Sequence, residues 1–198
     1  MRVRDSAAFF MEFLSNPAGI GAVVPSSRNL ARKMIEWIDW TQVRAVVECG
    51  AGTGVFTGYI LDHMKPNTRF FAIELNASMA GVFSEHYPTV TLYQGSVTNV
   101  RRLCDREGIE SVDVIISGLP WASFARPDQE QCLEALASVL SPQGSFATFA
   151  YLHGLYLAGG RRFGRMLSTH FEKVERSTIS WHNLPPAVVY RCWRSSGG

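Results

Sequence analysis

No stretch of this chain approaches the ~18 to 20 consecutive apolar residues that a bilayer-spanning helix needs. Its first residues also lack the basic-then-apolar pattern, closed by a small-residue cleavage site, that marks a secretory signal. The expectation is a protein of a soluble compartment, or one that touches a membrane only peripherally. Cysteine is sparse as well: Cys49, Cys104, Cys132 and Cys192 stand far apart, with no CxxC pair and no Cys/His spacing suited to a tetrahedral metal site. Four free thiols in a reducing compartment, and no metal, follow as expectations. Repeats, low-complexity tracts and long linkers are missing too, so 198 residues with 46% hydrophobic content should form one domain with an appended segment.

Charge of one sign is scarce locally rather than overall. The net charge of +2 covers an uneven distribution, with 5 basic and 8 acidic side chains in residues 45 to 120 against 7 basic and 2 acidic in residues 151 to 198. The last quarter of the chain therefore suits either an anionic partner or a solvated basic edge.

What is present is alternation. Runs of strand character occur at residues 44 to 49, 69 to 75, 90 to 95, 112 to 117, 145 to 151, 171 to 181 and 187 to 194. Helical patterns separate the first five ("VFTGYILDHM", "NASMAGVFSEHY", "NVRRLCDREG", "DQEQCLEALASVL"), and another around "RRFGRMLSTHF" precedes the last two. Strands alternating with helices predict an α/β fold: a mostly parallel sheet with helices on both faces and an antiparallel last strand. A helical segment over residues 1 to 40 precedes a main domain over residues 41 to 198. In such sheets ligands bind beyond the carboxyl ends of the strands.

Beyond the first strand stands "ECGAGTGVF", containing Glu48, Gly50, Ala51, Gly52 and Gly54. Glycines there let backbone approach a ligand, and the helix that follows offers unpaired N–H groups. The spacing is GxGxG, which is neither the dinucleotide GxGxxG nor the GxxxxGK(S/T) of a phosphate-binding P-loop. The second strand closes on Glu74, followed by Leu75, and a carboxylate there can accept both hydroxyls of a ribose. The third closes on Gly95, Ser96 and Val97, and the fourth on "SGLPW", Ser117 to Trp121.

These strand ends resemble the class I S-adenosylmethionine-dependent methyltransferases, which have a Rossmann-like sheet. That resemblance implies S-adenosylmethionine as cofactor, with Glu48 and the glycines around its methionine part, Glu74 and Leu75 at the ribose, Gly95, Ser96 and Val97 near adenine, and Ser117 beside it. Position 96 departs from the acidic residue frequent in the family. "SGLPW" is similar to the (D/N/S)PP(Y/F/W) and NLPY turns of enzymes that methylate amino nitrogens. By that likeness Ser117, Gly118 and Leu119 offer hydrogen-bond acceptors to the amine and Trp121 an aromatic wall, a pairing that also suits a nitrogen becoming cationic. Packing of Trp121 in the core is the other reading.

Together with "NPAGIGAVVPSS" and "NLPPAVVY", the turn resembles the bacterial phospholipid N-methyltransferases that act on phosphatidylethanolamine, and their ornithine-lipid-methylating relatives. The resemblance spans residues 9 to 194. It implies an acceptor region that includes Pro25, Ser26 and Ser27, Tyr151 as a catalytic and substrate contact, His153 near it, and Arg162 as a lipid-phosphate ligand. The family's aromatic Thr-Tyr-Gly turn keeps Tyr151 here but not its threonine. A lipid acceptor implies an anionic membrane surface as partner, at the inner face of the cytoplasmic membrane, and no nucleic acid. Residues 3 to 14 bring Phe9, Phe10 and Phe13 together with Arg2 and Arg4, which fits an interfacial helix or a lid packed on the domain. An RNA adenine N-methyltransferase, and a lipid-binding protein that keeps the fold as scaffold, are the alternatives; the first usually carries a basic domain for which the residues after Tyr151 leave little room.

Overall fold

The computed structural model describes residues 25–181 and 183–194. Seven strands form one sheet: β1 (Ala45–Cys49), β2 (Arg69–Glu74), β3 (Thr91–Gln94), β4 (Val112–Ser117), β5 (Leu140–Tyr151), β6 (Lys173–Arg176) and β7 (Ala187–Trp193), in the order β3-β2-β1-β4-β5-β7-β6. The first five run parallel, and β7 lies antiparallel between β5 and β6. The helices are α1 (Pro25–Ile35), α2 (Thr57–His63), α3 (Ala77–His86), α4 (Val100–Arg106), α5 (Arg126–Val139), α6 (Leu152–Tyr156) and α7 (Ala158–His170). The expected α/β class and the late reversal are both present.

All five residues of β1 are buried, as required of a parallel strand covered on both faces. Successive side chains diverge. Ala45, Val47 and Cys49 join the core with residues of α4, α5 and α7, whereas Val46 packs with Leu30, Ala31, Met34 and Ile35 of α1 and with Ile60 of α2. Within the N-terminal segment, α1 is thus built into the core beside β5 and β7. All four cysteines are buried and free.

Local chemistry explains the boundaries. Asn76 caps α3 by accepting from the Met79 N–H at 3.1 Å. Helix α5 opens two residues before its expected start, with Pro127 and Asp128 in its first turn, where a missing N–H and a negative charge are both favourable. The strand expected over residues 171 to 181 is shorter. Its ladder stops at Arg176: Lys33 Nζ donates to the Thr178 carbonyl and hydroxyl, each at 2.9 Å, and after Ser177 the chain rejoins β7 only at the bridge Ser180↔Ala187. The strand expected from residue 145 begins instead at Leu140. Val112 pairs with Leu140 but Val114 with Ser145, so the intervening residues bulge.

If α1 is a core element, Met34→Ala should lower the unfolding free energy by about 2–5 kcal/mol in denaturant titration. A change below about 0.5 kcal/mol would show α1 to be loosely docked.

Candidate functional site

The turns after β1 to β5 gather at one end of the sheet. In the first, Gly50, Gly52 and Gly54 have φ of 70°, 59° and 91°, the left-handed region where a Cβ is strained. Close packing adds to the need at Gly54, where a Cβ would lie 2.3 Å from the Tyr87 ring. A Cβ on Gly52 or on Gly95 would meet nothing within 4 Å, so open space adjoins both. The loop is pinned to β2: the Gly50 N–H donates to the Ile73 carbonyl at 2.8 Å, and the Gly52 N–H to Glu74 Oε2 at 2.8 Å. The other Glu74 oxygen accepts from the Asn76 N–H at 2.7 Å. Glu74 is buried and its carboxylate plane is held by two backbone donors, while Leu75 beside it is exposed.

Glu48 is the anomaly of β1. It is fully buried, its Oε2 accepts from the Thr57 hydroxyl at 2.6 Å, and among the described residues nothing pairs with its Oε1. Burial, with the neighbouring Glu74 charge adding to it, pushes its carboxyl up from the ordinary 4.5 to about 8, even though the Thr57 bond pulls the other way. Near neutrality the unliganded group is therefore a neutral carboxyl with one unpaired oxygen at the base of the glycine loop, chemistry that could hold a cation.

The fourth strand end is joined to the first by backbone. The Gly118 N–H donates to the Cys49 carbonyl at 2.8 Å, and a Cβ on Gly118 would stand 2.5 Å from the Gly50 carbonyl oxygen. A Cβ on Gly50 would in turn meet the Leu119 side chain at 2.8 Å. Ser117 is buried, and its hydroxyl accepts from the Trp121 indole N–H at 3.1 Å and the Leu119 N–H at 3.4 Å, while its carbonyl accepts from the Thr148 hydroxyl at 2.9 Å. The Leu119, Pro120 and Trp121 carbonyls also accept bonds, whereas no described residue donates to the Gly118 carbonyl.

Two sequence expectations change here. Trp121 is not a wall open to an ammonium: it is 3% exposed and stacks on Phe163 with centroids 4.4 Å apart. Its apolar area went to the core because the turn folds inward onto α7. Arg162 does not present its guanidinium to a lipid phosphate. Its Nε donates to Gln129 Oε1 at 2.7 Å and its Nη2 to the Phe124 carbonyl at 3.0 Å, and Gln129 passes its amide hydrogens to the Trp121 and Gly159 carbonyls. That clasp ties α5 and α7 to the turn.

Tyr151 ends β5, half-buried, with its ring 5.7 Å from and nearly parallel to that of the exposed His153. Burial pushes its phenol up to about 12, so it stays protonated near neutrality. Leu119, Trp121, Tyr151, His153, Leu157 and Gly160 help line a hollow of about 80 Å³ there. A larger hollow of about 540 Å³, with Trp37, Asp113 and Trp193 in its wall, opens at the opposite end of the sheet, away from these turns. Ser96 caps a short 3-10 turn by accepting from the Thr98 N–H at 3.3 Å, and Val97 is buried in the core. Pro25, Ser26 and Ser27 open α1, and their side chains lie outside the described residues, as do Phe9, Phe10 and Phe13.

Sequence reading missed Thr57, Tyr87, Gln129 and Thr148. Thr57 was discoverable as the first polar residue of the helix after the glycines. The others act across elements distant in sequence, where no spacing rule applies.

Glu48 makes the stability of the unliganded protein pH-dependent. The folded state keeps the proton from about pH 4.5 to about 8 while the unfolded chain releases it, so this contribution is present below 4.5 and lost as pH rises through 8. Glu48→Gln cannot lose a proton. Its Tm advantage over the parent should grow across that window by on the order of 5 °C in calorimetry without ligand; parallel Tm curves would contradict the burial argument.

Comparison with known proteins agrees with the geometry. The family described as Methyltransferase domain matches residues 46–144. An ornithine lipid N-methyltransferase of Singulisphaera acidiphila is 31% identical over 193 residues, covering 96% of each chain. Ribosomal RNA small subunit methyltransferase A of a Hydrogenobaculum species is 26% identical over 99 residues, 50% of this chain and 36% of that one. The solved O-methyltransferase of Bacillus cereus, in complex with S-adenosylhomocysteine, superposes with a TM-score of 0.65 at 13% identity, over 96% of this chain and 90% of that one, a likeness of fold. A domain match over half the chain and a methyltransferase aligned along nearly all of it leave one assignment: the chain belongs to the class I S-adenosylmethionine-dependent methyltransferases.

Proposed function

We propose that this methyltransferase N-methylates the amino headgroup of a membrane lipid, working peripherally at the cytoplasmic face of the membrane. The observation that carries methyl transfer to the "SGLPW" turn is the backbone contact between Gly50 and Gly118, which sets whatever the glycine loop holds next to whatever docks on that turn. The lipid character of the acceptor is supported by similarity to the ornithine lipid N-methyltransferase over nearly the whole chain. That similarity favours ornithine lipid, while the resemblance of the "SGLPW" and "NLPPAVVY" segments keeps phosphatidylethanolamine as the other acceptor to test.

The residues present fit S-adenosylmethionine. Glu48 Oε1, buried and unpaired among the described residues, suits the donor's ammonium, and the space beside Gly52 and Gly95 admits a ligand close to backbone. Glu74, its plane fixed by Gly52 and Asn76, retains lone pairs for ribose hydroxyls, and exposed Leu75 offers apolar surface next to it. The donor supplies an electrophilic methyl on a sulfonium.

The chain's own part is to position a neutral amine and exclude water. The Gly118 carbonyl accepts an N–H of the amine and turns its lone pair toward the loop. An amine held there would take the donor's methyl as a neutral nucleophile, and its surplus proton would leave to the lipid phosphate or, once the site opens, to water. Tyr151, its ring beside that of His153 at the hollow, would flank the headgroup.

Two measurements check this reading. With labelled methyl donor and detergent-dispersed lipid, label should appear in ornithine lipid or phosphatidylethanolamine on chromatography. Label in RNA but not in lipid would reassign the acceptor. Glu74→Ala should raise the donor Kd by about tenfold or more in calorimetric titration, as expected for loss of charge-assisted bonds worth about 1.5–3 kcal/mol; an unchanged Kd would remove Glu74 from the donor site.

A further inference from the structure

The exposed large apolar side chains among the described residues are few: Tyr156 (76%), Leu157 (52%), Trp181 (66%), Leu184 (76%) and Leu75 (69%). Leu75 adjoins Glu74 at the donor end. The other four come from two segments that the sheet brings to one place. Strand β5 ends at the same edge as β4, since Ser117 pairs with Thr148. Antiparallel β7 therefore begins there, with Tyr151 opposite Ala187, and the bridge Ser180↔Ala187 holds Trp181 at that edge. The Leu152 N–H donates to the Pro186 carbonyl at 2.9 Å, stitching the start of α6 to the loop that carries Trp181 and Leu184. Tyr156 closes α6 and Leu157 follows it.

Charge has the same address. Residues 152 to 170 contain no Asp or Glu and include Arg161, Arg162 and Arg165, and residues 177 to 190 contain no acid either. Arg162 is committed to Gln129 and Phe124, whereas Arg161 and Arg165 are exposed. Isolated exposed apolar residues need no explanation. A Trp, a Tyr and two Leu on segments that carry no acid of their own, with Arg161 and Arg165 following Leu157 and the nearest acids, Asp128 and Glu130, beside Gln129 on α5, have the composition of a bilayer interface contact, and Leu157 with Tyr151 lines the hollow there.

We propose that Tyr156, Leu157, Trp181 and Leu184 form a membrane-docking rim that enters the headgroup boundary of an anionic bilayer while Arg161 and Arg165 meet lipid phosphates. This rests on the lipid-acceptor reading and deepens it: the rim brings the "SGLPW" turn to the depth of the headgroups, with α6 and the β6–β7 loop joined at its edge. It also places a membrane contact on the folded domain, separate from the expected one at Phe9, Phe10 and Phe13.

The test is co-sedimentation of the full chain with vesicles of phosphatidylglycerol and phosphatidylcholine, compared with phosphatidylcholine alone. The parent should bind the anionic vesicles more strongly. Y156S/W181S/L184S should lose about tenfold or more of that partitioning, with donor Kd unchanged in solution as the control that the fold is intact. R161Q/R165Q should lose chiefly the anionic preference.

Parent-like partitioning of the triple serine variant overturns the rim, as does a loss of binding seen only in F9S/F10S/F13S. A dimer in gel filtration that the triple variant dissolves would give the face to a second copy, and RNA retention without vesicle binding would give it to nucleic acid; either result overturns the proposal. Methyl transfer into detergent-dispersed lipid separates the two readings. No label in micelles, with rim-dependent vesicle binding intact, sinks the acceptor reading and leaves the rim; label in micelles, with rim-independent binding, does the reverse.

Discussion

Everything at the site depends on how closely two turns approach. Gly50 and Gly118 end neighbouring parallel strands, and their backbones come so near that a Cβ on Gly118 would be 2.5 Å from the Gly50 carbonyl oxygen. Such a distance is far inside van der Waals contact, so either turn with a side chain would have to move. The first glycine belongs to the loop proposed to hold the methyl donor and the second to the turn where the acceptor is proposed to dock. Their contact converts a meeting of two molecules into a fixed juxtaposition.

The rest of the architecture holds that contact. From one side Glu74 grips the loop through the Gly52 N–H, and Tyr87 packs on Gly54. From the other, Ser117 binds its own turn through the Trp121 indole, Thr148 holds the Ser117 carbonyl, and the Gln129–Arg162 clasp secures residues 121 to 124 against α7. Buried polar groups of this kind are costly unless paired, and here almost all are paired. Glu48 keeps one oxygen unpaired and burial raises its pKa to about 8, an arrangement that the donor's ammonium would relieve in the proposed site.

Much of this was legible in the sequence because the signals are local. Positive φ at three alternate positions demands glycine, an acid at a buried strand end demands a partner, and alternation of strand and helix demands a parallel sheet with its ligands at one edge. Trp121 and Arg162 were misjudged for a common reason. Both have chemistry that suits a lipid ammonium or phosphate, but each found partners on helices far away in sequence, Phe163 on α7 for one and Gln129 on α5 for the other. Which face a large side chain takes is decided by tertiary packing, which no spacing rule reports. The proposed rim could not be read from spacing either: Trp181 closes the strand expected over residues 171 to 181 and Leu184 stands in the turn after it, and only the folded chain leaves both exposed together with Tyr156 and Leu157.

The most direct test of the central contact is the single substitution Gly118→Ala, followed by turnover with labelled donor and aminolipid vesicles. With the fold intact by circular dichroism, methyl transfer should fall by about a hundredfold, the cost of displacing the two turns by roughly an ångström. Parent-like turnover in that variant would show that the two turns need not touch, and would contradict the account.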